Sequence, residues 1–453
     1  MIEIAVIDTP SLGNRSYLAS AGTVAVVVDP PRDIDRVLAV AAGRGVTITH
    51  VLETHLHNDY ITGGLALARL TGASYCVNAA DEVTFDRLAV GDGDLLEAGD
   101  AMRIGVIATP GHTFTHLSYV LSDAQTGETA GVFSGGSLLY GSTGRPDLFG
   151  EENTRALAAA QHASVRSLAA AVPASAPLYP THGFGSFCAA TPTRGGSSTI
   201  GTELGSNPAL VLDLEPYLTT LLAGLDAYPA YYAHMGPANA AGPLAAVLTS
   251  SASATAGEIG RRIAAGEWVV DLRERRAFAA GHLRGTYGFE LSDSFATYLG
   301  WLIPWGAPLT VLGGDPDMIS AARRQLSRIG IDQVQAATGT PQQWAGEQPL
   351  TSYDVSDFAG LAAAWPAGPL TVVDVRRRSE WAAGHIDGAV HVPLHELTDR
   401  AAGLPDAPVW VHCQAGYRAS IAASILHAAG LQVTAIDDDF SAAGRAGLAI
   451  AKR

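Results

Sequence analysis

The stretch ETHLHNDYITGG, residues 53–64, carries three side chains of metal-ligand type at alternate positions: His55, His57 and Asp59. Because side chains alternate from face to face along an extended backbone, a strand running into its exit loop would project all three to one side. Imidazole and carboxylate groups held together in this way favour a divalent metal ion. The stretch therefore predicts a metal site at the end of a strand.

The same stretch resembles the His-x-His-x-Asp-His cluster of the metallo-β-lactamase superfamily, with Tyr60 in place of the last histidine. Three later stretches extend the resemblance: ATPGHTFTHLSYVL (108–121), FSGGSLLYGSTGRPDLFG (133–150) and LYPTHGFGSFC (178–188). They look like the persulfide dioxygenase branch of that superfamily, and the whole chain resembles fusions of such a domain to rhodanese domains. The resemblance implies an α/β fold class: a metallo-β-lactamase αββα sandwich followed by two rhodanese-like α/β domains with parallel sheets.

By that resemblance, the iron of the dioxygenases would be held by His55, His112 and an aspartate of a Phe-Ser-Gly-Asp turn, which reads FSGG here. Gly136 stands in place of the aspartate. Because the loss of an anionic donor weakens metal binding, we expect the substitution Gly136→Asp to raise iron occupancy.

Three imidazoles remain at the first metal position of the wider superfamily, His55, His57 and His112, and three imidazoles can hold Zn(II) or Fe(II). The second metal position retains only Asp59 and His182, which we expect to contact the metal ligands rather than the metal ion itself. We therefore expect one Fe(II) or Zn(II) ion, either weakly bound or absent. In the metal-free alternative, the histidines are hydrogen-bonded within an empty pocket.

Arg145, in GSTGRPDL (141–148), matches an arginine that the dioxygenases use near the carboxylates of their thiol substrate, which implies a substrate-binding role. Bracing of its own loop against Asp147 is an equally good interpretation. We interpret His116, Cys76 and Cys188 as structural.

The second half of the chain contains an internal repeat with a spacing of about 100 residues. VVDLRERRAFAAGHLRGTYG (269–288) matches VVDVRRRSEWAAGHIDGAVH (372–391), and APLTVLGGDPDMISAARRQL (307–326) matches APVWVHCQAGYRASIAASIL (407–426). Each copy is typical of a strand, a loop and a second buried strand that leads into a helix. Both copies resemble rhodanese domains.

The loop CQAGYR (413–418) in the second copy carries the candidate nucleophile, Cys413. A short loop between a strand and a helix turns backbone N–H groups inward and adds the positive end of the helix dipole, which favours a thiolate or a persulfide. By resemblance to sulfurtransferases, Cys413 takes up a sulfane sulfur and passes it to an acceptor thiol, while Arg418 supplies a fixed positive charge. The residues between them form the expected substrate-binding loop: Gln414, Ala415, Gly416 and Tyr417. The alternative is a buried structural cysteine.

The first copy has Gly313 at the position of Cys413 and Met318 at the position of Arg418. Without a nucleophile it cannot transfer sulfur, so we interpret this copy as a structural or docking module. Its Asp-x-Arg and Gly-His motifs are then determinants of the fold.

A chain of 453 residues is long enough for about three domains. We expect a metallo-β-lactamase-like domain at 1–245, an inactive rhodanese-like domain at 251–347 and a rhodanese-like domain with the active-site cysteine at 354–453. The first boundary is predicted in the Pro- and Gly-punctuated stretch DAYPAYYAHMGPANAAGP (226–243).

The formal net charge of −16 argues against binding to nucleic acid or to an anionic membrane, since both would repel the protein. The N-terminal MIEIAVIDTP lacks the basic segment of a signal peptide. Three cysteines are too few for a disulfide framework in a chain of this length. These features predict a cytoplasmic protein that acts on small molecules, and they leave a homo-oligomer open.

Taken with the resemblance, the motifs predict a sulfur-handling enzyme. A rhodanese-type sulfurtransferase working through a Cys413 persulfide would be coupled to a persulfide dioxygenase-like domain that acts on or binds low-molecular-weight thiol persulfides, with thiosulfate or sulfite as further reactants. One alternative is a persulfide carrier or sensor without oxygenase activity and with a metal-free first domain. Another is a mononuclear zinc thioesterase of the glyoxalase II type.

Overall fold

A computed structural model describes residues 1–191, 193, 195–248, 253–405 and 407–452. The chain forms two compact units. The first comprises Met1–Val247 together with Ser327–Gly330, and the second comprises Leu248–Leu326 together with Ile331–Arg453. The predicted domain limits at 251 and 453 lie outside the described residues.

The first sheet of the first unit has six strands in the order β1-β2-β3-β4-β5-β6. Strands β1 to β3 are antiparallel neighbours, whereas β3 to β6 pair in parallel. The strands are β1 (Glu3–Thr9), β2 (Asn14–Ala21), β3 (Val24–Val28), β4 (Thr47–Leu52), β5 (Ser74–Asn78) and β6 (Leu88–Val90).

The second sheet also has six strands, in the order β14-β13-β10-β9-β8-β7, while β11 and β12 form a separate hairpin. Its strands and the hairpin are β7 (Leu95–Ala98), β8 (Met102–Ala108), β9 (Leu117–Asp123), β10 (Thr129–Gly135), β11 (Leu138–Leu139), β12 (Ser142–Thr143), β13 (Pro177–Pro180) and β14 (Ser198–Thr199).

The core of the first unit follows from the alternation of side chains along the strands. In β3, Val26 and Val28 pack into the cluster between the sheets, whereas Ala25 and Val27 face the helices outside. Helices cover the outer faces of both sheets. They are α1 (Asp35–Arg44), α2 (Gly64–Thr71), α3 (Glu151–Ala171), α4 (Ile200–Ser206), α5 (Pro208–Val211) and α6 (Leu214–Gly224). A further helix, α7 (Tyr232–Ala240), contacts the loop after β4. The predicted αββα sandwich is confirmed.

The first copy of the repeat builds a four-stranded parallel sheet in the order β16-β15-β17-β18. Its elements are α8 (Ala256–Ala264), β15 (Trp268–Asp271), α9 (Arg275–Ala280), β16 (Tyr287–Gly288), α10 (Phe295–Leu302), β17 (Leu309–Gly313), α11 (Pro316–Arg328), β18 (Val334–Thr338) and α12 (Pro341–Ala345).

The second copy builds a five-stranded parallel sheet in the order β19-β24-β23-β20-β22. Its elements are β19 (Asp354–Ser356), α13 (Phe358–Ala364), β20 (Thr371–Asp374), α14 (Arg378–Ala383), β21 (His385–Ile386), β22 (Val390–His391), α15 (Leu397–Arg400), β23 (Val409–His412), α16 (Tyr417–Ala428), β24 (Val433–Ile436), α17 (Ser441–Arg445) and β25 (Ile450–Ala451). Short 3₁₀ turns lie at Trp365–Ala367, Leu394–Glu396 and Ala401–Gly403.

The two copies repeat one strand order and one set of polar contacts. In the first copy, two guanidinium nitrogens of Arg273 donate hydrogen bonds to the carboxylate of Asp271, and one of them also donates to the carbonyl oxygen of Gly281, eight positions further along the chain. Arg376 makes the same contacts with Asp374 in the second copy. Because both pairs lie where a central strand ends, they brace the following loop in each copy. Parallel sheets, as predicted, are confirmed.

Among the described residues, no helix combines the length and the apolar character needed to cross a membrane.

Candidate functional site

The candidate metal site is built from the loops that follow strands β4, β8, β10 and β13. Strand β4 ends at Leu52, so His55, His57 and Asp59 all lie in the exit loop and none lies on the strand itself. All three side chains are nonetheless buried and gathered at one end of the sandwich. Loop contacts, rather than strand alternation, therefore position them.

Asn239 of α7 holds the shape of the loop after β4. Its side-chain amide donates to the carbonyl oxygens of His57, at 2.8 Å, and Tyr60, at 2.9 Å, and its Oδ1 accepts from the backbone N–H of Thr62 at 2.9 Å. Asn239 belongs to the stretch 226–243, with which the first domain was expected to close. The first compact unit extends to Val247, and this stretch contributes contacts to the site.

Asp29, just after β3, ties two of the loops together. Its carboxylate accepts from the backbone N–H and the hydroxyl of Thr54, each at 2.7 Å, and from the hydroxyl of Thr181. Asp29 has a φ of 49°, a left-handed conformation that costs energy for a residue with a side chain. The hydrogen bonds from both threonines compensate for that strain.

His57 lies between two buried carboxylates. Its Nε2 is 3.3 Å from Asp29 Oδ1 and 3.3 Å from Glu53 Oε2. Burial alone would lower the pKa of His57, but the neighbouring charges of Asp29 and Glu53 raise it to about 10. In this arrangement a protonated His57 neutralises the charge of the two carboxylates.

His182 is oriented by a pair of polar side chains behind it. Its Nδ1 is 3.0 Å from Asn14 Oδ1 and 3.3 Å from Asp59 Oδ2, and the Asn14 amide donates to the same Asp59 oxygen at 2.7 Å. Burial would raise the pKa of Asp59, but the neighbouring His182 holds it well below its usual range. The Nε2 of His182 faces the Nε2 of His55 at 3.3 Å.

His112 is fixed by the backbone of the loop after the β11–β12 hairpin. Its Nδ1 lies 2.8 Å from the carbonyl oxygen of Arg145, which makes Nδ1 the protonated nitrogen. Burial, reinforced by the nearby His182, lowers the pKa of His112 to about 3. His112 is therefore a neutral imidazole whose Nε2 lone pair is available.

The potential ligand atoms form three groups, and within each group all ligand atoms lie within 4.8 Å of one another. The groups are His55, His57 and His182; His112, His182 and Cys188; and Asp29, Glu53 and His57. The first two share His182, and the expected trio of His55, His57 and His112 is not among the three. His182 was expected to support the ligands, and Cys188 was interpreted as structural.

Gly136 cannot accept the missing aspartate without a rearrangement. A Cβ atom at Gly136 would meet the ring of His112, and one at Gly144 would meet the Gly136 carbonyl oxygen and the same ring. The Gly136 N–H also donates to His116 Nε2 at 3.0 Å. The expectation that Gly136→Asp simply restores a ligand is therefore wrong, because the His112 ring fills that space.

The contacts of Arg145 are those expected if it braces its own loop. Its guanidinium pairs with both oxygens of Asp147 at 2.7 Å and donates to the carbonyl oxygens of Phe187, at 3.1 Å, and Asp226, at 2.7 Å. The Arg145 side chain is only 4% exposed. A substrate carboxylate would have to displace one of these partners.

Several buried polar atoms in the site have no hydrogen-bond partner in the described part of the chain, among them His57 Nδ1, His112 Nε2 and Asp59 Oδ1. Unpartnered buried polar groups are rare in folded proteins and call for an explanation. Two nitrogen ligands about 2.0–2.1 Å from a tetrahedral metal lie roughly 3.3 Å apart, which is the separation of the His55 and His182 Nε2 atoms. The residues fit a single divalent ion.

The second candidate site is the loop between β23 and α16. Cys413 is the first residue after the strand and is 2% exposed, whereas Gln414 and Ala415 lie at the surface. Gly416 has a φ of 83°, which lets the chain turn into the helix. Tyr417, the first helical residue, donates its hydroxyl to the carbonyl oxygen of Glu290 in the first copy at 2.9 Å.

Arg418 is paired with Glu380, a residue that the motif does not include. The two guanidinium nitrogens lie 2.6 and 2.7 Å from the Glu380 oxygens. Burial would raise the pKa of Glu380, but these hydrogen bonds lower it to about 2. Arg418 is thus held in one orientation, and part of its charge is neutralised.

A small, mostly apolar pocket lies between the two copies of the repeat. Its walls include Tyr298, Trp301 and Leu302 from the first copy and Leu394 and Arg418 from the second. Arg418, at the end of the cysteine loop, is therefore part of its lining.

The corresponding loop of the first copy is closed by its own side chains. A Cβ atom at Gly313 would lie 2.9 Å from Ile319 Cδ1 and 3.3 Å from Met318 Sδ. Asp315 accepts a hydrogen bond from the Met318 N–H at 2.8 Å. The space that a cysteine would need is therefore filled.

Residues 10–182 match the Metallo-beta-lactamase superfamily, and residues 359–445 match the Rhodanese-like domain. The chain contains a metallo-beta-lactamase domain and a rhodanese-like domain. The second match includes Cys413 and its loop, whereas the first ends at His182 and leaves Cys188 outside.

Similar proteins fall into two groups. A hydroxyacylglutathione hydrolase of Acidiphilium cryptum is 39% identical over 114 residues, which cover 24% of this chain and 46% of that protein. The human mitochondrial persulfide dioxygenase is 29% identical over 206 residues, which cover 43% of this chain and 69% of that protein. The chain thus spans about half the length of the curated relatives that it matches.

A crystal structure described as a metallo-beta-lactamase from Staphylococcus aureus has a similar fold, with a TM-score of 0.66 and 26% sequence identity. The match covers 75% of this chain and 98% of that one. The fold similarity therefore extends beyond the metallo-beta-lactamase domain.

Proposed function

We propose that the rhodanese-like domain is a sulfurtransferase with Cys413 as its nucleophile. The Cys413 thiolate attacks the outer sulfur of thiosulfate, the S–S bond breaks, and sulfite leaves with the bonding electron pair, so that Cys413 becomes a persulfide. A small acceptor thiolate then attacks the outer sulfur and releases the Cys413 thiolate. The two steps balance without an external oxidant or reductant.

The position of Cys413 is the observation that supports this proposal most strongly. The residue stands at the end of a central parallel strand and just before the N-terminus of α16, within the segment that matches the rhodanese-like domain. The first N–H groups of a helix have no acceptor inside the helix, and with the dipole they stabilise an anion there. Gln414, Ala415, Gly416 and Tyr417 are then the loop that surrounds the transferred sulfur.

The test is thiosulfate-to-thiol sulfur transfer by wild type, Cys413→Ser and Cys76→Ser. We expect Cys413→Ser to lose activity by roughly a hundredfold or more, because serine cannot form a persulfide. Cys76→Ser is the matched control, since Cys76 is a fully buried residue of the other compact unit. Equal activity in all three proteins would overturn the assignment.

We further propose that the metallo-beta-lactamase domain binds one divalent ion, Fe(II) or Zn(II), and acts on or binds a low-molecular-weight thiol persulfide. His182, together with His55 and His57 or together with His112, would hold the ion, and the ion would supply a Lewis acid for the sulfur compound. Two hydrogen bonds orient these rings: the side chain of Asn14 contacts His182 Nδ1, and the carbonyl oxygen of Arg145 contacts His112 Nδ1. Similarity to the human persulfide dioxygenase supports the choice of substrate class.

A second candidate for this domain is thioester hydrolysis, favoured by the similarity to the Acidiphilium hydroxyacylglutathione hydrolase. Metal analysis together with two assays separates the candidates. Iron with persulfide-dependent oxygen uptake supports the oxygenase, zinc with thioester hydrolysis supports the esterase, and a metal-free protein with neither activity supports a carrier. Because the aspartate is replaced by Gly136, we expect any oxygen uptake to be slow.

A further inference from the structure

Cys188 lies beside His112 and His182. A ligand atom of Cys188, one of His112 and one of His182 all lie within 4.8 Å of one another, and all three residues are fully buried. The Nε2 atom of His112 has no hydrogen-bond partner in the described part of the chain. This grouping is not a lone cysteine but a Cys-His-His cluster with an unused imidazole nitrogen.

The backbone of Arg145 fixes the positions of Cys188 and His112 relative to each other. The carbonyl oxygen of Arg145 lies 2.8 Å from His112 Nδ1, and the N–H of Arg145 donates to the carbonyl oxygen of Cys188 at 2.8 Å. The N–H of Cys188 donates to Ser186 Oγ at 3.1 Å. The backbone on both sides of the thiol is therefore fixed relative to the His112 ring.

We infer that Cys188 is a metal ligand which, with His112 and His182, provides the anionic donor that Gly136 no longer supplies. The inference rests on the proposed metal binding by this domain and names the donor set. Thiolate sulfur together with imidazole nitrogen is a donor set used by Zn(II), and thiolate binds Fe in other sites. On binding, the Cys188 S–H bond breaks, its electron pair forms the bond to the metal, and the proton passes to solvent.

His182 can serve only one of the two groups that contain it. The Nδ1 atom of His182 faces Asn14 and Asp59, so Nε2 alone is left for a metal. A single imidazole nitrogen binds a single ion, so the group of His55, His57 and His182 and the group with Cys188 cannot both be filled. Of these two, the group with the thiolate is favoured because it carries a negative charge, whereas the other offers imidazoles only.

The test uses Co(II) bound to the full-length protein, because cobalt bound to a thiolate shows a charge-transfer band in the near ultraviolet that imidazole and carboxylate ligands do not give. Wild type, Cys188→Ser and Cys76→Ser are each titrated with Co(II), and metal content is measured by elemental analysis. Cys188→Ser and Cys76→Ser make the same change at buried cysteines of one unit. Circular dichroism checks that each variant is folded.

We expect wild type and Cys76→Ser to take up one cobalt ion with the thiolate band, and Cys188→Ser to lose the band and to bind the ion at least about tenfold more weakly. Cobalt uptake by wild type without a thiolate band would overturn the role of Cys188 and leave the proposed metal site standing. No cobalt uptake by wild type would overturn both. Because the wild-type spectrum is itself decisive, a misfolded Cys188→Ser variant does not remove the test.

Discussion

Substitution of the buried Arg145 distinguishes a substrate-binding role from a structural role. Its hydrogen bonds to Asp147, Phe187 and Asp226 require the planar guanidinium, which lysine cannot reproduce. We expect Arg145→Lys to destabilise the first unit by about 2–4 kcal/mol, measured by chemical denaturation. A variant with unchanged stability but a raised KM for a carboxylate-bearing thiol substrate would instead support the substrate-binding role.

The pair of Glu380 and Arg418 predicts a pH dependence of stability. The pKa of Glu380 is about 2 against an ordinary value of 4.5, so the pair stabilises the folded protein above pH 4.5, and that stability is lost as the pH falls toward 2. The contribution near neutral pH is on the order of 3 kcal/mol.

The measurement is the unfolding temperature of the second unit as a function of pH for wild type, Glu380→Gln and Glu347→Gln. We expect Glu380→Gln to be less stable near neutral pH and to lose less stability on acidification, because glutamine does not titrate. Glu347→Gln, at an exposed position of the same unit, should follow wild type. Identical pH profiles for all three proteins would contradict the pairing.

Some site residues are indicated by the sequence and others are not, and the difference is how far along the chain their partners lie. Cys413, Arg418 and the histidine positions lie in short motifs whose spacing is visible along the chain. Glu380 contacts Arg418 across 38 positions, and Asn239 contacts His57 across 182 positions. Such partners become neighbours only after the chain has folded, so no local pattern indicates them.

At the scale of elements, the turn from β23 into α16 depends on Gly416. Its φ of 83° is unfavourable for any residue with a side chain, and a Cβ atom there would meet the carboxylate of Asp437. Asp437 in turn accepts hydrogen bonds from Arg275 and Arg276 of the first copy, so it cannot move freely. The first copy of the repeat thus fixes the carboxylate against which the cysteine loop packs, which is the role expected of a structural module.

We expect Gly416→Ala to reduce sulfur transfer by about tenfold or more, because the loop that carries Cys413 must shift away from Asp437. Gly447→Ala is the matched control: Gly447 has a φ of 91° but nothing within 4 Å of an added Cβ atom. It should lose about 1 kcal/mol of stability and keep its activity. Equal activity losses in the two variants would show that strain alone, rather than the contact with Asp437, is responsible.

The elements themselves were largely predictable. The family resemblance implied the αββα sandwich and the parallel sheets, and the repeat in the second half indicated two copies of one strand–loop–strand–helix unit. The stretch 226–243 was expected to close the first domain, and the first compact unit extends to Val247. Its Pro and Gly residues did not indicate helix α7, which contacts the loop after β4. Tertiary contacts outweigh local propensity there.

At the scale of the whole molecule, the fold class followed from the sequence, whereas the make-up of the metal site did not. The expected metal ligands were His55, His57 and His112. In the folded chain, His182 belongs to two groups: one with His55 and His57, and one with His112 and Cys188. Which ring nitrogens face one another depends on four loops from two sheets. That arrangement is a property of the closed sandwich and cannot be read from ligand spacing.

Sulfur transfer through Cys413 leaves a covalent trace that mass spectrometry of the full-length protein can detect after incubation with thiosulfate and removal of excess reagent. We expect the gain of one sulfur atom, mapped to the peptide that contains Cys413, absent from Cys413→Ser and discharged by a small thiol. Sulfur carried on the Cys76 or Cys188 peptide, or sulfur transfer without any modification of Cys413, would contradict it.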